Sequence, residues 1–311
     1  MKSLVTGGCG FIGSHLTERL VKMGHDVVVI DIQKHGNKLP KEIADNAQVV
    51  VGDVCDESLV ADLCKGCDYV FHLAASLGVE IVADNPVKCM EVETVGTKNI
   101  VHGILKHDVP KLVYASTSGV YGKIAIEKAV DEDFNVSPNS SYAIAKRYNE
   151  IYLKSLYQEH GLESLSLRYF NVYGPRQDNR MVIPRFIEQA QDGRPLTVYG
   201  SGKQTRDFTY IDDTIEGTIL AAEKIPGCEI VNICYDREHS IHDLAKIITR
   251  KLNSSSEVSL IESPSGRYDF EVMRRIGDCS KLKSHTGYLP ATSLDEGLGK
   301  TFDYMGVPYT A

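Results

Sequence analysis

The segment Thr6-Gly7-Gly8-Cys9-Gly10-Phe11-Ile12-Gly13 constrains the fold of this 311-residue chain more than any other. It follows a short apolar run, Leu4-Val5, and opens an amphipathic stretch from Phe11 to Met23. Gly7, Gly10 and Gly13 have the spacing GxxGxxG. A side chain at such a strand-to-helix turn would hold the backbone away from a pyrophosphate, and the last glycine lets the helix pack close to the strand. The helix N-terminus then offers backbone N–H groups to the anion. Asp31 ends the next apolar run, about 20 residues on, as a dinucleotide fingerprint requires. Its carboxylate can accept hydrogen bonds from the adenosine ribose and repel a 2′-phosphate. That favours NAD over NADP, although Lys34 and Lys38 stand nearby. The plain alternative is that Asp31 caps a strand end.

Further β-branched runs recur at Val27–Ile30, Val49–Val51, Tyr69–Phe71, Leu112–Tyr114 and Leu165–Leu167. Runs of this kind read as strands buried on both faces. Helical patterns lie between them, notably Val87–Lys106 and Tyr142–His160. The expected fold is α/β: a doubly wound parallel Rossmann sheet with a smaller, discontinuous C-terminal α/β domain. Residues 1–174 are expected to form the NAD-binding domain, with 204–235 returning to it through the apolar run Cys228–Ile233. Residues 175–203 and 236–311 are expected to form the second, substrate-binding domain, and 252–258 a surface loop. Asp53 with Val54 after the third strand offers a carboxylate for an adenine amino group. Leu73-Ala74-Ala75 after the fourth is small enough to let the backbone pass close to a cofactor.

The formal charge of −8 gives no footing for nucleic acid or an anionic membrane. No run of roughly 18 apolar residues is present, and the start of the chain lacks an apolar targeting segment, so a cytoplasmic location is expected. Cys64-Lys65-Gly66-Cys67 is a single CxxC without a second pair; it reads as two reduced thiols at a helix-to-strand turn, and no metal is expected.

Tyr142-Ala-Ile-Ala-Lys146 puts a phenol and an ammonium four residues apart, on one helix face. A phenol of pKa about 10 is a poor base near neutrality, and lowering it by roughly three units takes about 4 kcal/mol. Lys146, a nicotinamide cation and the helix start are expected to supply that stabilisation. Upstream, Tyr114-Ala115-Ser116-Thr117-Ser118-Gly119 runs from a buried strand into a loop at the sheet edge where α/β folds bind ligands. Thr117 can donate to a substrate oxygen while Tyr142 moves its proton. Ser116 and Ser118 are either turn hydroxyls or ligand contacts.

Together with Arg168-Tyr169-Phe170-Asn171-Val172-Tyr173-Gly174-Pro175 and Gly202-Lys203-Gln204-Thr205-Arg206-Asp207-Phe208, these motifs resemble the extended short-chain dehydrogenase/reductases. Within them the chain resembles the NAD-dependent nucleotide-sugar epimerases and dehydratases, with UDP-glucose 4-epimerase the nearest pattern. The resemblance implies that Thr117, Tyr142 and Lys146 are catalytic. It places Ser116 and Tyr169 beside the cofactor. It implies that Asn171, Val182, Tyr199 and Arg206 hold a UDP-sugar, with Arg267 and Asp269 at its diphosphate and ribose. A charge-assisted Arg–phosphate contact suits Arg206. A homodimer through the helices around 87–106 and 142–160 is also implied, with Ile144, Tyr148, Ile151 and Tyr152 facing either a partner helix or the chain's own core.

Relatives of this kind carry out 4-epimerisation, 4,6-dehydration or oxidative decarboxylation, each beginning with oxidation at C4. The resemblance implies that dehydratases need an acid and a base directly after the Thr, and decarboxylases a Glu two residues after it. Ser118 and Gly119 occupy those positions here. The expected reaction is therefore epimerisation at C4 of a UDP-hexose, UDP-glucose and UDP-galactose, through a transient 4-keto sugar. The alternatives are a UDP-glucuronate 4-epimerase, another nucleotide-sugar dehydratase or decarboxylase, or a non-catalytic NAD sensor on the same fold. Three positions depart from the pattern. Glu93 stands where an Asn usually touches the cofactor, and it either bonds differently or faces solvent. Gly78-Val79-Glu80 resembles the glucuronate branch too. Arg275 falls near a position that gates the sugar's C2 substituent.

Overall fold

The computed structural model describes residues 1–34, 36–75, 85–123, 128–262 and 272–310. Each apolar run of the first half forms a strand: β1 (Lys2–Thr6), β2 (Asp26–Asp31), β3 (Gln48–Val51), β4 (Tyr69–His72), β5 (Lys111–Thr117) and β6 (Ser164–Tyr169). Later strands are β7 (Val172–Tyr173), β8 (Leu196–Tyr199), β9 (Thr205–Asp207), β10 (Thr209–Tyr210), β11 (Cys228–Ile233), β12 (Glu238–Ser240) and β13 (Val258–Ile261). The principal sheet has the order β11-β6-β5-β4-β1-β2-β3, and the pairs β5–β4, β4–β1, β1–β2 and β2–β3 are parallel. All six residues of β6, and Val27 to Ile30 of β2, are buried, which is why these strands read as unbroken apolar runs rather than alternating ones.

Helices among the described residues are α1 (Phe11–Lys22), α2 (Lys41–Asp45), α3 (Glu57–Cys64), α4 (Pro86–His107), α5 (Ser141–His160), α6 (Val182–Gln191), α7 (Ile211–Lys224), α8 (Ile241–Lys251), α9 (Ser280–Thr286) and α10 (Leu294–Met305). None is long and apolar enough to cross a membrane. Strand order reverses between β1, which leads to β2, and β4, and the glycine turn leaves the sheet there. In open α/β sheets this switch point is where ligands bind.

The chain divides into two compact units. The first comprises Met1–Val120, Ser140–Arg168 and Thr218–Val231; the second Tyr121–Asn139, Tyr169–Gly217 and Asn232–Ala311. The core of the first holds Leu4, Ile30, Val70, Ile100, Leu112 and Leu153. These limits differ from the expected 1–174 and 204–235 in giving 121–139, 169–174, 204–217 and 232–235 to the second unit. Local bonds within that unit explain the difference. The Tyr121 hydroxyl lies 2.9 Å from the Asp131 carbonyl and 2.8 Å from Asn232 Oδ1, and Val130 bridges Gly277. Thr209 and Tyr210 pair with Val172 and Tyr173. The Asp207 carboxylate accepts from the N–H groups of Tyr235 and Asp236, both at 3.0 Å, of Gly277 at 3.3 Å, and from the Thr209 hydroxyl at 3.2 Å. Burial pushes that carboxyl up to about 7, against the pull of those four donors. The expected loop at 252–258 holds as far as Glu257; Val258 begins β13, which pairs with β8.

Candidate active site

The first unit carries the glycine turn. Gly7 has φ of 69°, and a Cβ there would lie 2.8 Å from the Ala74 nitrogen. A Cβ on Gly13 would lie 2.1 Å from the Gly7 carbonyl oxygen. Side chains are thus excluded from the turn by backbone on both sides, which leaves its surface bare. Gly10 caps α1 without a side-chain hydrogen bond, so Phe11, Ile12 and Gly13 start the helix with backbone groups toward the sheet edge. Asp31 closes β2, and its two oxygens accept from Cys9 N at 3.0 Å and Gln33 N at 2.7 Å. This fixes the carboxylate while leaving further lone pairs for ribose hydroxyls. Asp53 is fixed in the same way by Cys55 N at 2.9 Å, and Val54 is buried against Gly96. Bare turn, oriented carboxylate and small Leu73–Ala75 segment together fit a dinucleotide.

Thr117 is the last residue of β5, and Tyr142 lies in the first turn of α5, whose start is fixed by the Ser140 hydroxyl accepting from Ala143 N at 3.2 Å. The Thr117 hydroxyl bonds the Tyr142 phenol, and its oxygen also accepts from Gly119 N at 3.1 Å. With that N–H received, the Thr proton points at the phenol. Lys146, one turn on, is buried, with Nζ 4.7 Å from the Tyr114 ring centre and 5.5 Å from that of Tyr142. The three expected catalytic groups therefore meet.

Glu93 does not face solvent. It is fully buried, and its Oε2 lies 3.0 Å from Lys146 Nζ. Burial and then the Glu93 carboxylate push the Tyr142 phenol well above its ordinary value, while the Thr117 bond pulls it down. The Glu93 carboxylate beside the ammonium thus opposes the lowering expected from Lys146. An interior hydrogen-bond chain backs this pair. Thr6 Oγ1 accepts from Leu73 N and Ala74 N and sits 2.7 Å from His72 Nδ1; His72 Nε2 is 3.2 Å from Thr97 Oγ1, which donates to the Glu93 carbonyl. Thr6, with two N–H groups received, donates to Nδ1, so the His72 proton is on Nε2. Burial pushes His72 down to about 3, which keeps it neutral.

Ser116 is buried and donates to Glu150 Oε1 at 2.6 Å. Arg168 grips Glu150 from the other side, Nε at 2.9 Å and Nη2 at 2.8 Å. Ser118 is buried in the turn after β5. A Cβ on Gly119 would lie 3.3 Å from Thr117 Oγ1 and 3.5 Å from Ala143 Cβ, so this position borders the catalytic hydroxyl and carries no side chain.

The second unit holds the expected sugar-nucleotide residues. Tyr169 is buried at the end of β6 and Asn171 is exposed just after it, with its carbonyl receiving Thr209 N at 3.3 Å. Arg206 lies in β9, its Nη1 donating to the carbonyls of Thr205 at 2.7 Å and Val272 at 2.6 Å. Val182 opens α6, and Tyr199 ends β8 with the Arg185 guanidinium 5.4 Å from its ring centre. Arg267, Asp269 and Gly78-Val79-Glu80 lie outside the described residues. Cys64 and Cys67 are buried free thiols, and burial pushes Cys64 up to about 12. Among the described residues no group of three or more His, Cys, Asp or Glu is placed to hold a metal ion.

Residues 3–234 match the NAD dependent epimerase/dehydratase family. The chain belongs to that family. It is 38% identical over 314 residues to the UDP-N-acetyl-alpha-D-glucosaminuronate decarboxylase of Bacillus cytotoxicus, covering 98% of this chain and 97% of that one. The UDP-glucose 4-epimerase of Thermotoga maritima, solved with UDP-glucose, is similar at TM-score 0.92 and 33% identity, over 98% of this chain and 99% of that one. The UDP-glucose 4-epimerase of Thermus thermophilus, solved with NAD, is similar at TM-score 0.89 and 31% identity, over 98% and 99%. The protein is accordingly an NAD-dependent enzyme of the nucleotide-sugar epimerase and dehydratase family. Glu93 and Glu150 are buried charges beside Lys146 and Ser116; the motif reading gave Glu150 no role and left Glu93 either bonded differently or facing solvent. Glu150 sits one helical turn beyond Lys146 on α5, whereas Glu93 reaches Lys146 from α4.

Proposed function

We propose that the enzyme inverts C4 of a UDP-hexose, interconverting UDP-glucose and UDP-galactose. The observation that carries this reading is the bare Gly119 beside Thr117. Expelling water or carbon dioxide from the sugar requires a group that moves a proton to or from carbon next to the oxidised centre. Ser118 is buried and Gly119 has no side chain. Returning the hydride to the carbon it left needs neither.

In this reading Tyr142 takes the proton of the C4 hydroxyl as the C4–H bond breaks, and gives it back when the 4-keto sugar is reduced on its other face. Bound NAD supplies the acceptor and donor of the hydride. Thr117 donates to the sugar oxygen or to the phenol and so orients both. Lys146 stabilises the phenolate. Gly7, Gly10, Phe11, Ile12, Gly13, Asp31, Asp53, Val54, Leu73, Ala74, Ala75, Ser116 and Tyr169 are proposed to hold the dinucleotide. Asn171, Val182, Tyr199 and Arg206, with Arg267 and Asp269, are proposed to hold the UDP moiety. The decisive assay gives purified enzyme UDP-galactose without added reductant. UDP-glucose is the expected product; loss of water from UDP-galactose, or of carbon dioxide from UDP-glucuronate given in a parallel assay, would place the enzyme with the dehydratases or decarboxylases instead.

The α5 face bearing Ile144, Tyr148 and Ile151, at 47%, 52% and 56% exposure, supports a homodimer through this helix and α4. Tyr152, which packs against the core, stacks on Tyr148 and supports that face from beneath. A charge in the middle of a buried apolar seam costs several kcal/mol. Ile144→Glu should therefore sediment as a monomer where the parent sediments as a dimer; a parent that is itself monomeric rejects this seam.

A further inference from the structure

Tyr142 is the reacting phenol in the function proposed above, and the inference that follows rests on that assignment. Every charged or titratable group that faces it among the described residues can be named. From α4 come Glu93 and Cys89, from α5 Lys146, from β5 Tyr114, and from β4 His72. His72 is neutral, as above. Burial holds the Cys89 thiol up at about 11, and burial holds Tyr114 well above its usual value, so neither is charged near neutrality. Glu150, which also acts on Tyr114, spends its charge on Arg168 and Arg147. Of these groups, Glu93 and Lys146 are the ion pair that lies beside the phenol.

These two form a deeply buried ion pair, with side chains 0% and 1% exposed at 3.0 Å. A buried ion pair of this kind contributes little net stability compared with apolar groups of the same size, and its retention calls for another reason. The Glu93 backbone is fixed as well: its carbonyl receives Asn149 Nδ2 at 2.9 Å and Thr97 Oγ1 at 2.7 Å, and Asn149 reaches the Tyr114 hydroxyl at 2.8 Å. Asn149 and Lys146 are neighbours on one face of α5. The backbone at Glu93 is thus fixed behind the reacting group, and its carboxylate lies against the Lys146 ammonium.

We propose that Glu93 is a positioning residue for catalysis: its carboxylate fixes the Lys146 ammonium in the interior beside Tyr142 and offsets that ammonium's charge at the reacting phenol. In this account the phenol oxygen accepts from Thr117, and the base form needed to accept the C4 proton appears against the Glu93 counter-charge. Glu93 touches neither the phenol oxygen nor the sugar in this account. It acts through Lys146 and through its own field.

The test is a spectrophotometric titration of phenolate in the purified protein without substrate. The Tyr142 step is taken as the difference between each protein and its Tyr142→Phe counterpart. In the parent this step should lie above the ordinary phenol value of about 10. In Glu93→Gln it should fall by about one to three pH units, the range an uncompensated neighbouring cation produces. The acid limb of kcat/KM should move the same way. A Glu93→Gln protein with lowered thermal stability and an unmoved Tyr142 step would show a merely structural pair and overturn the proposal. Should the Gln variant not fold, Glu93→Asp keeps the charge but withdraws it by one methylene; its step should fall by a smaller amount, and an unmoved or raised step overturns the proposal. Because the titration needs no sugar, its result stands apart from the assay with UDP-galactose. An enzyme that acts on another nucleotide sugar leaves it intact.

Discussion

Conversion of UDP-galactose into UDP-glucose should fall by about 10²–10⁴-fold when Tyr142 is replaced by Phe, the usual worth of a positioned acid–base group. The change removes one oxygen and keeps the ring, so the helix start and the packing around it should survive. The lost bond is the one from Thr117, whose oxygen still holds Gly119 N. NAD content of the purified variant should therefore match the parent's. The pH dependence follows from the direction of the phenol's shift. Burial and Glu93 raise Tyr142 above its ordinary value, so the base form gains population as pH rises and kcat/KM should climb on the acid side of the profile. In the Phe variant that limb should vanish along with most of the rate. A variant within a few-fold of the parent would take Tyr142 out of the mechanism.

The parts of this molecule that were legible in its sequence share a physical cause. Strands such as β1, β2, β5 and β6 are largely buried, which leaves their apolar runs unbroken, whereas β3, with Gln48 and Val51 exposed, and the first half of β11 are only partly covered. The glycine turn was legible because three positions there have no room for a Cβ. The Tyr142–Lys146 pair and the Thr117 turn were legible because each is local: a helix face and a strand end. What escaped was non-local. Glu93 lies 53 positions before Lys146, in a helix pattern where a glutamate ordinarily faces water. Nothing in its neighbourhood reports that the side chain turns inward to meet an ammonium from α5. The counter-charge that opposes the phenol's lowering escaped for the same reason, since the Lys146 charge was counted without its partner. The limits of the two units escaped as well. Residues 121–139 continue directly from β5, yet Tyr121, Val130 and Asn232 tie them to the second unit through contacts about 100 positions apart.

Glu150→Ala should cost about 3–5 kcal/mol of stability, the penalty for leaving one member of a buried ion pair behind. Arg168 is 1% exposed, and Glu150 receives both its Nε and Nη2, together with the Ser116 hydroxyl and Arg147 Nη1 at 2.9 Å. Alanine would strand a guanidinium in the interior with two of its donors unmet. The pH dependence has a definite sign. Burial opposes ionisation of Glu150, but its bonds from Arg168, Ser116 and Arg147 outweigh it and hold the carboxyl below the ordinary value. A group depressed on folding contributes its full stability above the unfolded value, near pH 4.3, and loses it as pH falls through the lower folded value. Urea midpoints measured from neutrality into acid should therefore drop more steeply for the parent than for Glu150→Ala, so that the two curves converge at low pH. Ser116 immediately precedes Thr117, and Glu150 sits one turn beyond Lys146 on the same face of α5. Loss of this clasp should thus also loosen the catalytic hydroxyl, lowering kcat in whatever fraction of the variant still folds. Parallel curves, with no convergence in acid, would mean that the Glu150 charge is not what holds β5 against α5.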